Sequence, residues 1–214
     1  MQLMRMIESA LQNSSSPESI EFIVYTDADD QTMKNFKQSN TKVIIGPKMS
    51  ISKMTNICYQ NSKGSILMYA ADDIFFRTNL WNTKILETIE KLDSKYFLIH
   101  GDDLGQKSNK IATHGFVSRK FAMGLGYLLP PYFYADFCDT WLTSIARYSN
   151  SRIYLEDLII EHLHPSWGKA NFDDTYLDRK RKKRFWKEFL KFQVFLPLRL
   201  WEILKINIVS KINL

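Results

Sequence analysis

Short apolar runs that end abruptly in carboxylates or glycine alternate along this chain with longer stretches of helical periodicity. The runs are Ile20–Tyr25, Lys42–Gly46, Ile66–Ala70, Lys95–His100 and Arg152–Ile160. Between them, residues 2–12, 51–61 and 79–91 space their apolar side chains three and four apart, the signature of one face of an α-helix. The inward sets are expected to be Ile51, Met54, Ile57 and Cys58 in one helix, and Leu80, Ile85, Leu86 and Ile89 in another. This alternation predicts an α/β fold with a mostly parallel sheet, right-handed crossovers and flanking helices. Ile66–Ala70 is apolar without alternation, as expected of a parallel strand buried on both faces. The chain opens on a helix where such folds open on a strand. The first strand is therefore expected to be missing, or the sheet rearranged.

Two of the runs end in acids. Ile20–Tyr25 leads into Thr26-Asp27-Ala28-Asp29-Asp30, and Ile66–Ala70 into Ala71-Asp72-Asp73. Ligands of open α/β sheets bind beyond the carboxyl ends of the strands, and carboxylates there suit a hard divalent ion that also carries phosphates. The competing reading is local: Asp72 and Asp73 form a turn and cap, and Asp29 or Asp30 caps a helix expected over residues 31–38. Asp27, directly at the strand end, is the better candidate for a ligand contact. Asp102 and Asp103 form a further pair, adequately explained by a turn between Gly101 and Gly105.

Further along, Ile111–Gly115 reads as a short strand or loop, and Ser118 as the cap of a helix running to about Leu125. The loop Gly126–Tyr134 is rich in aromatics, which either wall a substrate site or pack beneath the loop. Phe137, Trp141, Leu142 and Ile145 then supply a helical apolar face, placing Asp136 and Asp139 at its start. Acids there favour a helix N-terminus; a carboxylate at a cleft mouth can instead act as a general base. Both readings stand for Asp139. His162 and His164 alternate with Leu163, so on a strand both project from one face, where two imidazoles ligate a metal or pair with phosphate.

The net charge of +6 hides an asymmetry. Residues 179–214 hold 11 Lys and Arg against 2 Glu, a balance of +9 that leaves −3 for residues 1–178. The expected organisation is a body over 1–178 and a basic amphipathic helical tail over 179–214. In the tail Phe185, Trp186 and Phe189 mix with Lys and Arg in the manner of a helix at an anionic membrane surface. Nucleic-acid binding is the weaker reading of the basic run, and a solvated helix packed on the body the plainest one. Cys58 and Cys138 each fall in a predicted helix without metal-ligand spacing, and both are expected reduced. The opening residues are too short and interrupted for a signal peptide, and no uncharged apolar run is long enough to span a bilayer. The expected location is the cytoplasm, with the inner face of a membrane as a peripheral site.

Taken together, the strand-end acids Thr26-Asp27-Ala-Asp-Asp30 and Tyr69-Ala-Ala-Asp72-Asp73, the segment Ala135–Trp141 and His162-Leu-His164 resemble the GT-A fold nucleotide-sugar glycosyltransferases of the family-2-like group. The resemblance covers roughly residues 1–178. It implies that Asp27 contacts the nucleoside, with Asp29 competing for that place. The family's Asp-x-Asp motif falls on Ala70-Ala71-Asp72, so its first acid is absent; Asp72 keeps the metal-binding place, and Asp73 beside it is implied to contact the donor. Asp139 takes the position of the inverting general base. His164, with His162 as the alternative, takes that of the C-terminal ligand for metal or diphosphate. The implied activity is transfer of a sugar, with inversion, from a nucleotide-diphosphate donor to a hydroxyl of a glycan or lipid-linked acceptor. A UDP-sugar is favoured as donor, with Mn²⁺ or Mg²⁺ as cofactor. Two alternatives are a GT-A-like domain that binds donor without turnover, and an adaptor acting through the tail.

Overall fold

Most of the expected elements form where the periodicity places them. The computed structural model describes residues 2–33, 36–105, 109–164, 168–169 and 184–212. Helix α1 (Gln2–Gln12) leads to the parallel strands β1 (Phe22–Asp27) and β2 (Thr41–Gly46), then to α2 (Ile51–Asn61). Strands β3 (Ile66–Tyr69) and β4 (Ile74–Phe76) flank the Asp72-Asp73 turn. Next come α3 (Trp81–Glu90), β5 (Leu98–Asp102), β6 (Gly115–Ser118), α4 (Arg119–Leu125), α5 (Cys138–Tyr148) and β7 (Arg152–His162). Helices α6 (Arg184–Val194) and α7 (Leu196–Ile212) close the chain. The caps explain several boundaries. Ser50 accepts the Lys53 N–H at the start of α2, and Ser118 that of Phe121 at the start of α4. Gly126, at φ 90°, ends α4 in the left-handed conformation that glycine adopts without penalty.

The fold is mixed α/β, and the expectation of a mostly parallel sheet is corrected. β1 and β2 form a two-stranded sheet of their own. The other five strands run in the order β3-β6-β5-β7-β4, in which, among the described residues, only β5 and β7 pair in parallel. The antiparallel ladders arise because β4 turns back directly after β3 and pairs with β7, while β6 inserts between β3 and β5. The two sheets meet without a ladder between them: at the junction the Glu21 carboxylate accepts the Gly64 N–H at 2.7 Å. A side chain, not a strand, bridges the gap. β3 is accordingly an edge, its residues alternating half-buried and buried, where burial on both faces was expected.

Other expectations shift locally. The helix expected over 31–38 is a single 3-10 turn, Gln31–Met33; residues 34 and 35 lie outside the described residues. Asp30 does cap it, accepting from the Thr32 N–H at 2.9 Å and the Thr32 hydroxyl at 2.7 Å. Ile51, Leu80 and Leu86 are exposed, not inward. Leu80 sits at φ 55° just outside α3, and Trp81 takes its inward place beside Ile85. In α2 the fully buried residue is Ser52, whose hydroxyl donates to the Phe133 carbonyl at 2.7 Å.

Two cores share the larger sheet. One lies under α4, α5 and α7, with Phe121, Trp141, Leu142, Ile145 and Ile206 at its centre. The other packs Ala10, Trp81, Ile85, Phe116 and Ile160 between α1, α3 and the opposite face. A small third cluster sets Leu3, Ile7 and Met33 against Phe22, Val24 and Val43 of the two-stranded sheet. The aromatic loop 126–134 is largely packing: Tyr127, Leu128, Leu129 and Phe133 are buried, while Tyr134 is exposed. The closing helices complete the first core. Glu202 of α7, buried, accepts from the Tyr127 hydroxyl at 2.6 Å, the Tyr132 hydroxyl at 2.7 Å and the Trp141 indole at 2.8 Å. Glu188 of α6 accepts the backbone N–H groups of Tyr134, Ala135 and Asp136. Both buried carboxylates are thus hydrogen-bonded, as burial demands. The basic run at residues 179–183 lies outside the described residues. Among the described residues no helix is long and apolar enough to cross a membrane.

Candidate functional site

The turn between β3 and β4 divides its two acids. Asp72 is exposed and Asp73 is buried. β4 pairs antiparallel with β7 in a register that sets Ile74 opposite His162, so Asp73, one residue earlier, meets the end of β7. Its Oδ2 lies 3.3 Å from His162 Nε2, and its carbonyl accepts the Leu163 N–H at 2.8 Å. The His162 N–H in turn donates to the Asp103 carbonyl at 3.0 Å. Backbone bonds therefore hold the ends of β4, β5 and β7 together around this imidazole. β7 ends at His162, so His164 lies beyond the strand on which both were expected, and its ring is 5.1 Å from that of His162.

A second layer lies beneath. The His114 ring is 6.1 Å from His162 and has Nε2 2.9 Å from the Ile160 carbonyl, which assigns the proton to Nε2. Thr113 donates its hydroxyl to Asp103 Oδ2 at 2.6 Å, and Asp103 Oδ1 accepts the Gly105 N–H at 2.8 Å. Burial, reinforced by the nearby His162, pushes the His114 pKa down to about 4. His100 on β5 is also buried, and its Nε2 accepts from Arg152 Nε at 3.0 Å. Burial first, then the Arg152 charge, lowers its pKa to about 4. Both imidazoles are neutral near pH 7. On the flank, Glu161 accepts from Arg77 Nη2 at 2.6 Å and lies 2.9 Å from Lys169 Nζ.

α5 brings the remaining carboxylate. Phe137, at φ 66°, precedes the helix without a side-chain cap. Asp139 in the first turn accepts the Thr140 N–H at 2.6 Å, and burial raises its pKa. A chain of bonds ties this turn to the end of β3. The Thr143 hydroxyl donates to the Asp139 carbonyl at 2.7 Å and accepts the Ala112 N–H at 3.0 Å, while the Tyr69 hydroxyl donates to the Ala112 carbonyl at 2.7 Å. Asp139 and Tyr69 are close enough for the carboxylate charge to raise the Tyr69 pKa, after burial. Asp136 lies 3.8 Å from Arg184 at the start of α6.

Asp27 and Asp29 stand at the end of β1, in the other sheet; the bonds just described do not reach them among the described residues. Asp29 is exposed. Asp27 Oδ1 is shielded from solvent and has no hydrogen-bond partner among the described residues. A buried acceptor left open in this way fits a ligand donor.

The structure thus gathers Asp73, His162 and His164, leaves Asp72 exposed in the adjoining turn, and fixes Asp139 across from β3. No motif or spacing in the sequence singles out His114 or His100, and Asp103 reads there as a turn residue. Scarcity was the available signal. The chain has four histidines, and His114 stands in electrostatic reach of both His100 and His162, which adjoins His164. Among the described residues no group of three or more His, Cys, Asp or Glu side chains forms a metal-binding cluster. A scan of protein-family models finds no match to the chain, and a search of curated proteins finds none.

Proposed function

We propose that this chain is a glycosyltransferase of GT-A type, transferring a sugar from a nucleotide-diphosphate donor to a hydroxyl acceptor with inversion. The observation that carries this reading is the arrangement at the ends of β3, β4 and β7: an exposed Asp72, a buried Asp73–His162 pair with His164 beside it, and the raised Asp139 linked to Tyr69. Its donor chemistry, hard carboxylate oxygen with imidazole nitrogen, suits Mn²⁺ or Mg²⁺. The small number of protein donors fits an ion whose other positions are filled by diphosphate oxygens and water. Asp72 with His164 or His162 would hold it, two protein donors rather than a cluster of three, and when bound it supplies positive charge to the departing diphosphate.

The chain's own residues do the rest. Asp27, with its open Oδ1, accepts a hydrogen bond from the nucleoside. Asp73 fixes the orientation of the His162 ring. Asp139 takes the proton from the acceptor hydroxyl as that oxygen attacks the anomeric carbon and the diphosphate leaves. Its raised pKa brings its basicity closer to neutral pH, where a general base is most effective.

The test is calorimetric titration with UDP, with and without Mn²⁺, followed by a transfer assay. The expected result is Mn²⁺-dependent binding that Asp72→Asn weakens at least ten-fold. Asp139→Asn should keep that binding and lose transfer by about 10²–10⁴-fold, the range for a general base. UDP binding indifferent to both Mn²⁺ and Asp72→Asn would remove the metal assignment. Absence of binding to UDP, GDP and CDP alike would remove the donor site. Binding without transfer would favour the alternative motivated by Ala70, a donor-binding domain that does not turn over.

A further inference from the structure

Helices α6 and α7 turn different chemistry to the protein and to solvent. Inward lie Glu188, Phe192, Arg199, Glu202 and Ile206, buried or packed on the core. Outward on α6 stand Trp186, Leu190 and Val194, spaced four apart and 65%, 61% and 70% exposed. Outward on α7 stand Trp201, Leu204, Ile208 and Ile212, spaced three or four apart and 58%, 51%, 45% and 74% exposed. Each set follows the period that keeps side chains on one face of a helix. Single exposed apolar residues are ordinary, but a contiguous face of this kind marks an interaction site.

The charges identify the partner. The two acids of these helices, Glu188 and Glu202, are both buried and committed to hydrogen bonds within the protein. The exposed charged side chains of the two helices are Lys187, Lys191 and Lys211. Five more basic residues, Arg179–Lys183, immediately precede α6 in the sequence. A second copy of the chain would bring lysines against lysines across a self-complementary face, which opposes association. Apolar side chains with exposed tryptophans and lysine flanks instead match the interface of an anionic bilayer, where the aromatics sit at headgroup depth and the lysines meet lipid phosphate. α7 has 17 residues, a length of about 25 Å at 1.5 Å per residue, and among the described residues no helix is long and apolar enough to cross a membrane. The helices would lie on the bilayer rather than cross it.

We propose that the outward face of α6 and α7 docks the protein on an anionic lipid surface. This does not rest on the sugar-transfer reading, and its test uses no sugar donor. The experiment is co-sedimentation of the full chain with vesicles of phosphatidylcholine alone, or of three parts phosphatidylcholine to one part phosphatidylglycerol. Binding is expected only to the anionic vesicles, weaker at about 1 M salt than at about 0.1 M as screening increases. Lys187→Gln and Lys191→Gln should each weaken it about five-fold. Trp201→Glu and Leu204→Glu, at exposed positions, should abolish it while leaving the circular dichroism spectrum unchanged. No binding to the anionic vesicles would overturn the proposal, as would binding that survives both glutamate variants. A dimer in solution that Leu204→Glu separates would also overturn it, by assigning the face to a second copy.

Discussion

At the scale of single residues, burial sets the protonation of the site. His100 and His114 are buried, with pKa values near 4 against about 6.5 in an unfolded chain. A group whose folded pKa is depressed in this way binds its proton more readily when the chain unfolds. Their contribution to stability is therefore complete above about pH 6.5, is lost as pH falls toward 4, and changes no further below that. Asp139, raised by burial, acts in the opposite sense: the folded chain holds its proton more readily. Two imidazoles against one carboxyl leave a net loss on acidification, on the order of a few kcal/mol. Urea midpoints at pH 7, 5.5 and 4.5 check this. His100→Gln, which can still accept from Arg152, should remove roughly half of the pH dependence. An unaltered dependence would show that His100 is not held neutral by burial.

Among the elements, the contact between β5 and β7 is the one that positions the site. Their register shifts after Gly101: Gly101 faces Leu155, and Asp102 faces Ile159. Leu158 therefore arches over Gly101, and a Cβ there would stand 1.9 Å from the Leu158 carbonyl oxygen. This is backbone against backbone, which a side-chain rotation cannot relieve. Gly101→Ala is expected to destabilise the protein by about 2–3 kcal/mol, a fall in melting temperature of roughly 5–10 °C for a chain of this size. Thermal denaturation followed by circular dichroism checks it. Because Asp103 two residues on accepts the His162 N–H, the same substitution should loosen the candidate site as well as the sheet. A melting temperature equal to that of the parent would mean that the β7 bulge yields without cost.

For the whole molecule, the closing helices decide whether the body is complete. The charge step near residue 178 marks a body and a tail in the sequence, but the helices beyond it supply part of the first core. Ile206 is fully buried, and Glu202 and Glu188 receive the polar hydrogens of Tyr127, Tyr132, Trp141 and the Tyr134–Asp136 backbone. A chain ended at residue 183 loses those partners together, and buried polar groups left unpaired cost about 1–3 kcal/mol each. Against a typical stability of 5–15 kcal/mol, the truncated chain is expected to show no cooperative thermal transition. A sharp transition near that of the full chain would show that the body folds alone.

Local spacing determined the helices α1, α2, α4 and α5, the cap at Ser118 and the strands β1, β2, β3, β5 and β7, because those depend on periodicity and on hydrogen bonds a few residues apart; β4 and β6 were not legible there. It also marked Asp72, Asp73, Asp139, His162 and His164 by their places at element ends. Strand direction and neighbourhood were not legible there. Nothing near Ile74–Phe76 in the chain announces that it pairs antiparallel with His162, or that a carboxylate joins β1 to β3 where a continuous sheet was expected. Those choices depend on contacts between segments far apart in sequence. The same pairings brought His114 and Asp103 under His162, and decided which of two adjacent acids, Asp72 or Asp73, was buried.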